Sequence, residues 1–216
     1  MSLEGSPDEV RRWITSHLDP LDETIIGGMQ VRADLSLDPA RASDDTLAWT
    51  PAAVLVGLVE REAGLSVLLT RRADTLRRHT GQVAFPGGRC DPGETPWETA
   101  LREAQEEIGL DPKHVELAGL STPFRTAGTG YQIMPVVGFI TPPLELTPNP
   151  AEVAEIFETP FGFLMDPSNL EPQERETPAG DRRRFYAATW EGQYIWGATA
   201  GMLRALYDRL FGAAVA

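Results

Sequence analysis

The sequence predicts an α/β protein, in which helices pack against a β-sheet. Three short apolar runs at 52–59, 65–70 and 133–140 have the length and the β-branched composition of buried strands. Two other segments, 96–108 and 199–211, repeat apolar residues at the spacing of a helix face. A chain of 216 residues, 42% of them hydrophobic, is long enough to bury a core of its own.

We expect one domain at 51–216, preceded by an N-terminal extension at 1–50. Within the extension, Val10, Ile14 and Leu18 share the face of a short helix, whereas 19–50 has no long periodic segment and is expected to be irregular. In the domain, the runs at 52–59 and 65–70 predict an antiparallel pair with a glycine-containing turn. The other predicted elements are strands at 115–120 and 133–140, a short helix at 161–165, a polar loop at 166–181, a hairpin at 184–189 and 193–196, and a closing helix at 199–211.

One helix is delimited at both ends by its sequence. Thr95 followed by Glu98 has the form of a capping box, and Pro96 lies at the first helical position, where its missing N–H costs no hydrogen bond. Gly109 supplies the left-handed conformation that commonly ends a helix. The helix is therefore predicted to run from Pro96 to Ile108.

This helix is predicted to have an apolar face and an acidic face. At about 100° per residue, the apolar residues form one stripe: Trp97, Leu101, Ala104 and Ile108. The carboxylates gather on the far side: Glu103, Glu106 and Glu107. Such carboxylates repel one another, and the only nearby cation is Arg102, which can reach Glu106 at i+4.

A bound cation would relieve this repulsion. Carboxylate oxygens select hard ions, and Mg²⁺ binds through a few carboxylates while it bridges to substrate phosphate oxygens. The pattern therefore favours a metal site for a polyphosphate. An isolated acidic helix face is more often simply solvated, so the interpretation depends on the residues around it.

Those surroundings resemble the signature of the Nudix hydrolases. Gly88, Glu94 and the run REAQEEIGL at 102–110 stand at the spacing of the Nudix box, with Ala104 as a mild departure where a larger aliphatic residue is usual. The resemblance implies an α/β/α sandwich with a mixed β-sheet and a catalytic loop–helix–loop. It also implies Mg²⁺ or Mn²⁺ held by the carboxylates named above together with the carbonyl of Gly87.

The resemblance also implies roles for neighbouring residues. Glu94 would pair within the loop–helix–loop, and Arg102 would orient the glutamates. Glu103, or the downstream carboxylate Glu152, would take a proton from the attacking water. For Glu152, the alternative of a merely solvated carboxylate stays open.

A second motif lies directly upstream of the box. The residues LLT at 68–70, Arg72, Arg77, Gly81 and the run FPGG that begins at Phe85 resemble the motif of the coenzyme A diphosphatase branch, with Ala73 where serine is usual. The resemblance implies that Arg72, Arg77 and nearby residues such as Arg78, with Gly81 and Phe85, bind coenzyme A. Guanidinium groups suit this task because they match phosphate oxygens in a bidentate way.

Composition argues against several other classes of function. With 32 acidic and 19 basic residues, the net charge of −13 opposes binding to nucleic acid or to an anionic membrane. No apolar run reaches the length of a membrane span, and no secretory signal is recognisable, so a cytoplasmic protein is expected. The single cysteine, Cys90, excludes an internal disulfide and a cysteine-based zinc site.

The expected function is metal-dependent hydrolysis of coenzyme A, or an oxidised or acylated derivative, to 3′,5′-ADP and 4′-phosphopantetheine. The first alternative is hydrolysis of another nucleoside diphosphate compound, such as ADP-ribose or a dinucleotide polyphosphate. The second alternative is a Nudix-like module that senses a nucleotide without cleaving it. The expected partner is a small nucleotide substrate, and the chain is expected to be a monomer or a homodimer.

Overall fold

A computed structural model describes residues 5–33, 44–73, 81–126, 129–176 and 182–212. The helices within these residues are α1 (Pro7–Ser16), α2 (Glu23–Ile26), α3 (Pro96–Ile108), α4 (Phe161–Leu164) and α5 (Ala198–Phe211). The strands are β1 (Arg32–Ala33), β2 (Thr50–Arg61), β3 (Gly64–Arg72), β4 (Val83–Ala84), β5 (Gly87–Arg89), β6 (Val115–Leu120), β7 (Phe124–Arg125), β8 (Tyr131–Ile140), β9 (Val153–Pro160), β10 (Glu171–Glu176), β11 (Arg182–Trp190) and β12 (Gln193–Trp196). No described helix is long and apolar enough to cross a membrane.

The central sheet is mixed, as predicted. Its main path runs β1-β7-β8-β2-β3-β4, while β5 pairs with β2, β6 with β8 and β9 with β3. The β2–β8 and β1–β7 pairs are parallel, and the other pairs of this sheet are antiparallel. A separate three-stranded antiparallel sheet has the order β10-β11-β12.

Alternation along the central strands sorts the core into two layers. In β2, Val54, Val56 and Leu58 point into one cluster, whereas Ala53 and Leu55 point into the other. This is the alternation expected when both faces of a sheet are covered. The first cluster contains α5 residues such as Leu203, and the second contains α3 residues such as Ile108. The predicted α/β/α sandwich is therefore confirmed.

The N-terminal segment packs against the central sheet. Ile14 of α1 is fully buried in the first cluster, and Arg11 forms ion pairs with Glu60 and Glu116. Further along, β1 adds a short parallel pairing to β7. The part of 19–50 that the structure describes is thus less irregular than predicted. The domain boundary at residue 50 stays a prediction.

One prediction along the chain is wrong. The segment 166–181 was expected to be a loop, but β10 lies within it and pairs with β11 over six register positions, from Glu171 opposite Ala187 to Glu176 opposite Arg182. Every residue of β10 is exposed. A strand without a buried face lacks the alternation by which strands are recognised in sequence.

Candidate active site

The predicted limits of the box helix are confirmed. The side chain of Thr95 accepts a hydrogen bond from the Glu98 N–H, and the Glu98 carboxylate accepts one from the Thr95 N–H at 2.8 Å. Gly109 ends the helix in the left-handed conformation, with φ of 68°. Capping at both ends fixes the orientation of the acidic residues between them.

The faces of α3 differ from the prediction. Its buried residues are Thr99, Ala100, Ala104, Glu107 and Ile108. Trp97 and Leu101 are only partly buried, so the buried stripe is centred on the two alanines rather than on Trp97. The rotation carries Glu107 from the expected outer face into the protein, where it is 3% exposed.

Burial dominates the electrostatics of Glu107. Loss of hydration raises its pKa to about 7, and the negative charges of Glu152 and Glu103 add to the rise. The N–H of Gly87, which donates to Glu107 Oε2 at 3.3 Å, and the positive charge of Arg72 oppose the rise. Glu107 is therefore an unusually weak acid that can exchange a proton near neutral pH.

Glu103 lies against the glycine that opens the box. A Cβ on Gly88 would lie 2.5 Å from the Glu103 Cδ, so a larger residue there would displace this carboxylate. Burial is the main cause of the raised pKa of Glu103, which the charges of Glu106 and Glu152 raise further and Arg102 opposes. Glu107, which is buried, and Glu103, which is partly buried, thus lie close together in the C-terminal half of the helix.

Arg102 and Glu94 brace the loop against the helix, as the resemblance implied. Arg102 Nε donates to Glu94 Oε1 at 2.7 Å, and Asp91 N and Thr99 Oγ1 donate to Glu94 Oε2 at 3.0 Å and 2.8 Å. The hydrogen bonds from Arg102 and from the Asp91 N–H lower the pKa of Glu94 to about 2. Arg102 also contacts Glu103 Oε1 at 2.9 Å and Glu106 Oε2 at 3.2 Å, which turns both carboxylates toward it.

The described residues contain no group of three His, Cys, Asp or Glu side chains arranged to hold a metal ion. The outer carboxylate, Glu106, has a side chain that is 57% exposed and faces Arg102. A metal shared by Glu103, Glu106 and Glu107 therefore requires side-chain rotation away from Arg102. The chemistry of the donor set still fits a hard divalent cation, because a cation would favour the charged forms of Glu103 and Glu107, whose pKa values burial and, to a smaller extent, mutual repulsion raise.

Backbone pairing fixes the positions of Gly87 and Glu152, each against a different strand of the central sheet. Gly87 lies opposite Val54 at a non-hydrogen-bonded site of the β2–β5 pair, so its N–H and carbonyl point away from β2. A Cβ on Gly87 would lie 2.6 Å from the Val54 Cα, which only glycine avoids. The carbonyl of Glu152 accepts from the Ala73 N–H at 2.8 Å, which holds Glu152 beside the end of β3.

A family model of the NUDIX domain matches residues 49–188. The chain belongs to the Nudix domain family. Two relatives carry the name uncharacterized Nudix hydrolase NudL. One, from Citrobacter koseri, is 40% identical over 167 residues, covering 77% of this chain and 85% of the relative. The other, from Escherichia coli O7:K1, is 41% identical over 164 residues, covering 75% and 83%.

Two solved structures resemble parts of this chain. The Nudix hydrolase RenU from M. smegmatis is 27% identical, with a TM-score of 0.46, and the match covers 54% of this chain and 74% of RenU. An Ap4A hydrolase from C. elegans is 19% identical, with a TM-score of 0.45, over 51% of this chain and 80% of that protein. The predictions of the Nudix family, of its fold and of a hydrolase are confirmed. The names of the two NudL relatives state no substrate.

The upstream residues of the Nudix domain are described in part. Arg72 ends β3, where its N–H donates to the Gln82 carbonyl at 2.9 Å. Its Nε is buried and has no hydrogen-bond partner in the described part of the chain. Gly81 adopts a left-handed conformation with φ of 67°, and Phe85 is 3% exposed within the core. Arg77 and Arg78 lie outside the described residues.

A cavity of about 370 Å³ lies between the segment around Gly87 and the three-stranded sheet. Arg72, Phe85 and Gly87 line one part of it, and Arg183, Phe185 and Trp196 of the three-stranded sheet line another. Sequence reasoning missed the last three residues, although they lie in a predicted hairpin. The available signal was the run RRRFY at 182–186, which places arginines beside aromatic residues.

Proposed function

We propose that this Nudix hydrolase cleaves the diphosphate linkage of coenzyme A, or of an oxidised or acylated derivative, to 3′,5′-ADP and 4′-phosphopantetheine. The observation that carries the proposal is the juxtaposition of the two motifs. Arg72 of the upstream motif lies close enough to Glu107 of the Nudix box to lower its pKa. Arg72 and Gly87 line the same cavity, and the Gly87 N–H donates to Glu107, so an anionic ligand at Gly87 would lie next to both a guanidinium group and the acidic cluster.

We propose that Glu103, Glu106, Glu107 and the Gly87 carbonyl hold Mg²⁺ or Mn²⁺. When bound, such an ion neutralises charge on the diphosphate and lowers the pKa of a bound water. Arg102 acts as a positioning residue, because its contacts fix the resting orientation of Glu103 and Glu106. The deeper carboxylate, Glu107, is anchored by the Gly87 N–H and needs no such support.

Glu103 and Glu152 are the proposed acceptors of the proton from the attacking water. The raised pKa of Glu103 makes it a stronger base than an ordinary carboxylate, which suits proton transfer near neutral pH. Glu152 acts on Glu103 and Glu107 through its charge, so it lies within electrostatic reach of the same region. The dependence of kcat on pH, measured for separate Glu103→Gln and Glu152→Gln variants, would identify the base. The variant that lacks the base should lose the decrease of kcat at acidic pH.

Product identification tests the proposal. The purified protein is incubated with coenzyme A, ADP-ribose or a dinucleotide polyphosphate, with Mg²⁺ or with Mn²⁺, and the products are identified by mass. Release of 3′,5′-ADP from coenzyme A, absent with EDTA and in Glu106→Gln, is the expected result. If only another compound were cleaved, the protein would still be a hydrolase, but coenzyme A would be rejected as its substrate. Nucleotide binding without any cleavage would instead indicate a sensing module.

A further inference from the structure

The three-stranded sheet has one aromatic face. Side chains alternate along a strand, so Arg183 and Phe185 of β11 point to the same side. Ala187, two residues further on, is paired with Trp196, and this places Trp196 on that side too. The rings of Phe185 and Trp196 contact edge-on with centroids 5.5 Å apart, and Tyr194 stacks on Trp196 at 6.2 Å. Tyr194 is 42% exposed, so the cluster is open to a ligand.

The same face carries two arginines at directly opposed positions. Arg175 of β10 is the register partner of Arg183, and like charges opposed across two strands destabilise the pair. Within the described ranges, neither arginine forms an ion pair, although the chain has a net charge of −13. On the reverse face, Arg182 and Arg184 both pair with Glu174, at 3.8 Å and 3.1 Å. The uncompensated pair is therefore specific to the aromatic face.

The cavity connects this face to Gly87, whose N–H donates to Glu107 of the Nudix box. Its lining includes Arg183, Phe185 and Trp196 at the sheet and Arg72 and Gly87 at the Nudix box. A ligand whose diphosphate lies at Gly87 can therefore extend to the sheet. An aromatic ring system would stack on the partly exposed rings of Phe185 and Trp196. A further phosphate would meet the guanidinium group of Arg183, which matches phosphate oxygens in a bidentate way.

We propose that this face is a subsite for the nucleoside end of the substrate. The purine base stacks on Phe185 and Trp196, and Arg183, with Arg175 beside it, binds a phosphate on the ribose that is separate from the diphosphate. The inference rests on the proposed function, which places the diphosphate at the Nudix box. It adds that the enzyme selects nucleotides with a ribose phosphate over those without one.

A binding experiment without turnover tests the subsite. Isothermal titration in EDTA compares adenosine 3′,5′-bisphosphate with adenosine 5′-monophosphate, on wild type and on variants. Wild type is expected to bind the bisphosphate about tenfold more tightly, the scale of one well-placed charge-assisted contact. Arg183→Gln is expected to abolish that preference and to leave binding of the monophosphate unchanged. Arg182→Gln, one residue away on the reverse face, serves as the matched control and is expected to keep the preference.

A separate variant tests the proposed stacking of the base on the aromatic residues. Trp196→Leu is expected to weaken binding of both nucleotides by about tenfold and to keep their ratio, because it removes stacking and not charge. Equal affinities of wild type for the two nucleotides would overturn the proposal, as would an Arg183→Gln variant that keeps the preference. Because no metal or turnover is needed, a preference that depends on Arg183 would support the subsite even if coenzyme A were not hydrolysed. Conversely, hydrolysis of coenzyme A without that preference would reject only the subsite.

Discussion

Replacement of Glu107 by glutamine should stabilise the metal-free protein above neutral pH. The pKa of Glu107 is raised from 4.5 to about 7, mainly by burial. The folded protein therefore binds more protons than the unfolded chain between these values, and its stability falls as the pH rises through them. A rise from 4.5 to about 7 corresponds to about 3 kcal/mol, at about 1.4 kcal/mol for each pKa unit.

Glutamine removes this dependence because it is neutral at every pH. It also keeps an oxygen that can accept from the Gly87 N–H, which donates to Glu107 at 3.3 Å in the wild type. At pH 8 in EDTA, Glu107→Gln should therefore be more stable than wild type by up to about 3 kcal/mol, whereas the two should converge at pH 4.5 and below. For a chain of this length, that difference corresponds to a rise in Tm on the order of 5–10 °C.

Urea denaturation in EDTA at several pH values between 4.5 and 8 measures the difference. Glu106→Gln is the matched control, since its side chain is 57% exposed and Glu107 stays buried in this variant, so its stability should still fall as the pH rises through 7. If Glu107→Gln gained no stability over wild type between pH 4.5 and 8, the burial argument would be wrong. Added Mg²⁺ should reverse the order, because a ligand that binds only the folded wild type stabilises it by mass action.

Three further substitutions separate catalysis from stability. Glu106→Gln should lower kcat on the order of a hundredfold, the scale for losing one charge-stabilising group, with an unchanged circular dichroism spectrum; near-normal turnover would reject the metal role. Gly88→Ala should lower the affinity for Mn²⁺, because its Cβ would lie 2.5 Å from the Glu103 Cδ, whereas Gly27→Ala, with nothing within 4 Å, should not. Glu94 has a pKa lowered to about 2, so its contribution to stability is present above 4.5 and is lost as the pH falls toward 2. Glu94→Gln should therefore have a lower urea midpoint than wild type at pH 7, and the difference should shrink at pH 3; equal midpoints at pH 7 would show that the brace is dispensable.

The sequence was most informative where local chemistry decides the structure. The limits of α3 follow from Thr95, Glu98 and Gly109, whose interactions are made within a few residues of the chain. The central strands follow from their apolar composition, because both faces of the sheet are covered. The motif spacing indicated the family for the same reason, since a loop and a helix fix the relative positions of its residues.

The rotation of α3 could not be derived from the periodicity alone. Large apolar residues suggested a stripe centred on Trp97, but the buried contacts are made by Ala100 and Ala104, which pack in one cluster with Ala53 of β2. Small side chains let a helix approach a sheet closely, and that approach depends on the facing strand. Glu107, beside the alanines on the helix, is buried as a consequence, and its pKa rises with it.

The proposed nucleoside subsite could not be predicted from the sequence for a different reason. Strand β10 is exposed along its whole length, so its sequence carries no alternating pattern, and its pairing with β11 is what opposes Arg175 to Arg183. The sequence predicts the β11–β12 hairpin but not β10, and without β10 nothing distinguishes Arg183 from the other arginines in the run RRRFY. Whether a charged residue in a strand is compensated depends on the residue opposite it in the neighbouring strand. Here β10 places Arg175 opposite Arg183, where a negative charge would stabilise the sheet.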